Sequence, residues 1–148
     1  MSRCLGVDYG SCRMGLAISD ETGILASPLR TVPINGPRQA IAAIAAACSE
    51  RMVERVVVGL PLDMQGRTGP AALAVLQFVE RLRNELNLPV DTWDERLSTS
   101  QVERCLIDAN VRRARRRQLR DQMAAQVVLQ SYLDARTPLT PMDDFLTE

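Results

Sequence analysis

The run Val56-Val57-Val58 constrains this chain most: three consecutive β-branched residues without polar alternation are the pattern of a strand covered on both faces. Gly59-Leu60-Pro61 ends the strand, and after a loop Pro70 opens a helix with Leu73, Leu76, Val79, Leu82 and Leu86 on one stripe. Residues 88–93 then return as a strand. Strand, helix and strand in that order form a crossover, so the two strands run parallel and helices must cover them.

Upstream, residues 4–7 form a short apolar run ending at Asp8, Tyr9-Gly10-Ser11 has turn chemistry, and residues 14–19 start a second extended run. Residues 24–32 follow the Thr22-Gly23 turn as a third strand, and Pro28 marks it as an edge or bulged strand. Pro37 opens a helix with Ile41, Ile44, Cys48 and Met52 on its inner face. Ser98 with Gln101 makes a capping box for a short helix to Ala109, and an arginine-rich stretch leads into a last helix over residues 118–135. The order βββαβαβαα predicts an α/β fold with a five-stranded mixed sheet, antiparallel at its start, parallel at its end, with helices on both faces. One domain is expected through residue 137, with residues 138–148 a polar, acidic tail.

Composition removes several chemistries. There is no histidine, so a Ser-His or Cys-His triad has no base and zinc has lost its commonest ligand. The four cysteines, Cys4, Cys12, Cys48 and Cys105, include no C-x-x-C pair and read as reduced, mostly buried thiols. No apolar run approaches the roughly 18 residues of a membrane span, and no signal peptide is legible, so a cytoplasmic protein is expected. Catalysis must therefore rest on carboxylates.

Asp8 ends the first strand, Glu95 lies just past the last strand, and Asp121 falls near the start of the last helix on one stripe with Ala124, Ala125, Val128 and Tyr132. Strand ends gather at one edge of such a sheet, where sites form. A buried, unpaired carboxylate costs several kcal/mol in practice, so this edge needs a cation, either an arginine or a metal. Three oxygen donors without histidine or thiolate suit Mg²⁺ or Mn²⁺ and phosphodiester hydrolysis. Each acid alone has a plainer account: Asp8 organises a turn, Glu95 pairs with Arg96, and Asp121 answers a helix dipole. Only the three together favour a site.

All 18 basic residues are arginine, and six of them lie between Arg112 and Arg120. A guanidinium suits phosphate oxygens and positions a nucleic acid without reading its sequence, although charge runs are more often solvated faces. Arg67 and Thr68 occupy a loop before a helix N-terminus, which is either a phosphate contact or an ordinary turn. Arg13, Arg67, Thr68, Arg96, Arg113, Arg116 and Arg117 are the candidate nucleic-acid contacts.

The stretches Leu5-Gly-Val-Asp-Tyr-Gly10, Gly15-Leu-Ala-Ile-Ser-Asp20, Val58-Gly-Leu-Pro-Leu62, Asp94-Glu-Arg-Leu-Ser-Thr99 and Asp121-x-x-Ala-Ala125 running into Leu129-Gln-Ser-Tyr-Leu133 resemble the YqgF (RuvX) family of pre-16S rRNA nucleases, also described as Holliday junction resolvase-like. The resemblance implies the RNase H-like fold, an acidic triad at Asp8, Glu95 and Asp121, and a strand-loop motif at Gly59, Pro61 and Gly66, with Gly10 in the first turn. Ser11-Cys12-Arg13 departs from the family's usual lysine-arginine pair. Three functions follow as alternatives: cleavage of structured precursor rRNA, cleavage of four-way DNA junctions by a homodimer, or nucleic-acid binding without catalysis. The first hairpin is also similar to the nucleotide-binding strands of sugar kinases and actin-like ATPases, which need two such domains.

Overall fold

A computed structural model describes residues 3–63, 65–95 and 113–136, with side chains of the last stretch described from residue 123 onward. Among these residues there are eight elements: β1 (Arg3–Tyr9), β2 (Arg13–Ser19), β3 (Ala26–Pro33), α1 (Pro37–Arg51), β4 (Val53–Leu60), α2 (Pro70–Glu85), β5 (Val90–Asp94) and α3 (Arg113–Arg136). The strands form one five-stranded sheet in the order β3-β2-β1-β4-β5. β1 pairs antiparallel with β2 and parallel with β4, β2 pairs antiparallel with β3, and β4 pairs parallel with β5. The mixed sheet predicted from element order is therefore present. The helix over residues 98–109, Arg96, Cys105 and the tail lie outside the described residues.

Val56, Val57 and Val58 are all fully buried, which the two-sided covering of β4 explains. Val56 and Val58 join Leu5, Val7, Met14 and Leu16 beneath α1 and α2, while Val57 joins Cys4, Ala17 and Ala26 beneath α3. Alternation along each strand thus sorts residues between two cores. Tyr9 adds a stacked contact with Phe78 of α2, ring centroids 3.9 Å apart.

Four details differ from the sequence expectation. β3 begins at Ala26, because the Asp20 side chain accepts the Ile24 and Leu25 amides at 2.9 and 3.3 Å and holds both residues in the turn. Met52 is 79% exposed: it ends α1 in the left-handed region at φ 55°, which takes its side chain off the stripe. α2 buries Ala72, Val75, Phe78, Val79 and Leu82, leaving Leu73 exposed, since residues 71–76 are apolar all round and no charge fixes which side faces inward. Finally, α3 begins at Arg113, so five of the clustered arginines are helical and Asp121 stands eight residues into the helix. A helix-dipole effect fades within the first turn, so the dipole account of Asp121 fails.

Pro28 does sit on an edge strand beside a register shift, where Leu16 faces Arg30 but Ala17 faces Pro28. Among the cysteines, Cys4 and Cys48 are buried free thiols, and Cys12 is exposed. No helix among the described residues is long and apolar enough to cross a membrane.

Candidate active site

Asp8 lies on the α3 face of β1, in phase with Cys4 and Gly6, at the strand's carboxyl end. β4 separates β1 from β5, so Asp8 and Glu95 can meet only across it. They do so over Gly59. The Glu95 amide donates to the Leu60 carbonyl at 3.1 Å, fixing the backbone just past β5, and the carboxylate folds back across β4. A Cβ placed on Gly59 would stand 2.5 Å from Glu95 Oε1, a distance real Cβ atoms do not reach. The missing side chain of Gly59 is therefore the space that the Glu95 carboxylate occupies.

There Glu95 is hydrogen-bonded to Asp8. Burial pushes the Glu95 carboxyl up to about 9, the hydrogen bond and negative charge of Asp8 push it the same way, and the charge of Asp94 adds to them. Without a cation the pair resolves its repulsion by retaining a proton between two oxygens. Two hard oxygen donors held in contact, in a position that favours loss of negative charge, are the chemistry a divalent cation relieves. The residues present therefore fit such an ion. Among the described residues no group of three or more His, Cys, Asp or Glu side chains gathers to hold a metal, so the described part of the site is this pair.

The side chain of Asp121, like those of Arg113, Arg116 and Arg117, lies outside the described residues. The path of its helix is described. Tyr132 and Leu133 of α3 pack with Cys4 near the start of β1, while Leu129 and Ala125 close on Gly6, where an added Cβ would come 2.7 Å from Leu129 Cβ and 2.9 Å from the Ala125 carbonyl oxygen. α3 thus runs antiparallel to β1, and position 121 is one turn beyond Ala125 toward the end of β1 that carries Asp8.

Directional contacts hold α3 in this register. Tyr132 donates to Asp91 Oδ2 at 2.5 Å, Arg55 pairs with the same oxygen at 2.8 Å, and Arg136 donates to the Tyr132 hydroxyl at 3.1 Å. Trp93 donates to the Ser131 hydroxyl at 2.9 Å. Gln130 accepts from the Ala26 amide at 2.8 Å and donates to the Ile24 carbonyl at 2.8 Å, tying the helix to the start of the edge strand. Apart from Arg136 and Tyr132, one helical turn apart, these contacts pair residues far apart along the chain, which sequence reading does not see.

Of the other expected contacts, Arg13 opens β2 on the same face as Asp8, and both line a cavity of about 310 Å³. Arg67 and Thr68 are exposed in the loop between β4 and α2 and do not line it. The Asp63 side chain organises that loop: Oδ1 accepts the Gln65 and Arg67 amides at 2.9 and 2.8 Å, and Oδ2 accepts from Arg67 Nε at 3.0 Å. Gly66 makes the turn possible at φ 80°. Pro61 enters this loop directly after β4. Gly10 closes the β1–β2 turn, its amide donating to the Arg13 carbonyl at 3.0 Å.

The sheet order and its helical layers define an RNase H-like fold. Solved structures that share it include Thermus thermophilus RuvC in complex with a Holliday junction substrate, with TM-score 0.58 and 18% identity over 93% of this chain and 97% of that one, and the fowlpox virus Holliday junction resolvase, with TM-score 0.51 and 15% identity over 90% and 99%. The chain itself belongs to the RuvX family, described as Holliday junction resolvase, whose model matches residues 2–135. Relatives include a Chloroflexus aggregans protein, 48% identical over 89% of this chain and 93% of its own length, and a Myxococcus xanthus protein, 45% identical over 92% and 90%. Both are named "Putative pre-16S rRNA nuclease".

Proposed function

We propose that this chain is a divalent-metal-dependent nuclease that hydrolyses phosphodiester bonds in the maturation of the 5′ end of pre-16S rRNA, with Asp8, Glu95 and Asp121 as its metal-holding carboxylates and Mg²⁺ or Mn²⁺ as the ion. The observation that carries the reading is the Asp8–Glu95 contact over Gly59, at the edge toward which α3 brings position 121. A divalent cation held there would supply a Lewis acid for the phosphate and lower the pKa of a bound water. The chain's own contribution is rigid presentation: Gly59 leaves room for Glu95 and β1 holds Asp8 opposite it. The arginines of α3's first two turns supply positive potential for a polyanion, and the names of the relatives supply the precursor rRNA.

The family's description favours a second reading, cleavage of four-way DNA junctions, which calls for a homodimer presenting two sites to opposed strands. One preparation decides between them. With Mn²⁺ or Mg²⁺ it is expected to cleave precursor RNA, and Asp8→Asn to lose more activity than the about 10–100-fold that removal of an outer-shell partner costs. Preferential junction cleavage by a dimer would transfer the assignment to DNA. An Asp8→Asn protein that cleaves as well as the parent would take Asp8 out of the metal-holding set, and tight binding without cleavage in either metal would leave a binding protein only.

A further inference from the structure

Gly59 leaves a vacancy on β4, and two side chains of the neighbouring strand are placed to fill it. Glu95 fills it from just past the end of β5. Trp93 is the competitor: it stands directly opposite Gly59 in the parallel β4–β5 ladder and packs with the residues beneath α3, on the same face. Adjacent strands lie about 4.8 Å apart, and Glu95 is two residues beyond the partner of Gly59, so the indole is rooted nearer the vacancy than the carboxylate is. A ring facing a bare strand glycine removes apolar area from water by lying over it.

In this protein the ring is held elsewhere. The indole N–H donates to the Ser131 hydroxyl at 2.9 Å, and the ring meets that of Tyr132 edge-on, centroids 5.6 Å apart. Tyr132 in turn bonds Asp91, the preceding residue on this face of β5, and packs with Cys4 near the start of β1. Both partners of the indole therefore lie toward the amino end of β5 from position 93. The ring leans that way, while Glu95 enters from the carboxyl end. Of the two contacts the hydrogen bond is the one that fixes a direction.

We propose that Ser131 is a positioning residue for the metal site: by tethering the Trp93 indole toward the amino end of β5 it keeps the ring off Gly59 and reserves that space for the Glu95 carboxylate. The inference rests on the reading of Asp8 and Glu95 as metal-holding carboxylates, and it adds what keeps the second of them in place. The same hydrogen bond also ties α3 to β5, and the two roles differ in what they predict. For a tie, every loss of the bond weakens the site alike. For a guard, the loss matters only where a ring remains to swing.

Variants of the full-length protein separate the two, with Mn²⁺ affinity measured by titration calorimetry on samples shown to be folded by circular dichroism. Ser131→Ala and Trp93→Phe each leave an untethered ring and are expected to weaken Mn²⁺ binding about tenfold or more, as loss of a ligand's support does. Ser131→Thr keeps the acceptor and should bind as the parent does. Trp93→Val also breaks the bond but leaves no ring to reach Gly59. It is expected to stay within about twofold of the parent and, combined with Ser131→Ala, to restore the affinity to that level. The conservative aromatic replacement thus does more damage than the drastic one. Equal losses in Trp93→Phe and Trp93→Val would make the bond a tie for α3 and overturn the proposal. The ring itself is followed in EDTA. Trp93 is the chain's one tryptophan, so nuclear Overhauser contacts of its indole are unambiguous, and those to the Gly59 Hα protons should strengthen in Ser131→Ala. An indole that stays in place there overturns the proposal as well. A parent protein that binds no Mn²⁺ sinks the metal reading of Asp8 and Glu95, while the indole contacts still decide what Ser131 does.

Discussion

The two faces of the sheet are built from different materials. Beneath α1 and α2 the core is large and aliphatic, with Leu5, Val7, Met14, Leu16, Ile44 and Leu82 at 0–2% exposure. Beneath α3 the sheet residues are small, Cys4, Ala17, Ala26 and Val57, and Gly6 has no side chain where Ala125 and Leu129 of the helix cross β1. The first face holds its helices by area, which is non-directional and tolerates adjustment. The second holds its helix by close backbone approach and by named hydrogen bonds to Asp91, Trp93, Ala26 and Ile24, which specify a register. Asp8 and Glu95 stand on the second face. Adhesion and placement are thus divided between the sides of one sheet.

This division is open to test by damage. Leu82→Ala, under the aliphatic face, is expected to cost about 2–5 kcal/mol of stability through lost transfer energy and the cavity left behind. Measured well below the melting transition, the folded fraction should bind metal and cleave as the parent does. Chemical denaturation and metal-dependent cleavage on the same sample make the comparison. A variant that loses metal affinity in its folded state would show that the aliphatic face also sets the site.

Gly6→Ala adds one methyl on the other face and reverses the pattern. Its Cβ would meet Leu129 Cβ at 2.7 Å and the Ala125 backbone oxygen at 2.9 Å, so the helix must lift. Overpacking of this kind costs about 1–3 kcal/mol, less than the leucine deletion. Yet the metal concentration for half-maximal activity is expected to rise about tenfold or more, as displaced ligand support does. Unchanged metal dependence would break the link between α3's depth and the carboxylates.

The aliphatic side was the more legible in the sequence, because it rests on local signals. Pro37 and Pro70 are the first residues of α1 and α2, and the three valines are the buried centre of β4. Even there the inward face of α2 was misread, since an apolar stretch without charges does not say which way it turns. On the α3 side Asp8 and Glu95 were legible as strand-end acids, and the structure brings these two together. Gly6 had a signal, a glycine inside a strand, which marks close backbone approach. Asp91 and Arg55 had none: they matter through partners 36 or more residues away.

The smallest effect concerns the charge stored on the α3 face. With Glu95 raised to about 9 from an ordinary 4.5, the folded protein without metal binds a proton that the unfolded chain has released. This contribution is complete below about pH 4.5, declines as pH rises, and is gone above about pH 9. Glu95→Gln removes the titration. In EDTA its stability should vary less with pH, and at pH 8 it should exceed the parent by about 1 kcal/mol, some 2–4 °C in Tm for a domain of this size. Saturating Mn²⁺ should reverse the order, because a cation that binds only the folded state stabilises the parent by RT ln(1 + [L]/Kd) and the variant less. Parallel Tm curves for the two proteins from pH 5 to pH 9 would mean that the Asp8–Glu95 pair carries no stored repulsion, and the case for a cation at this edge would lose its electrostatic basis. A crossing of the two curves on adding the ion would instead assign the cost of the placement face to the carboxylates that need it.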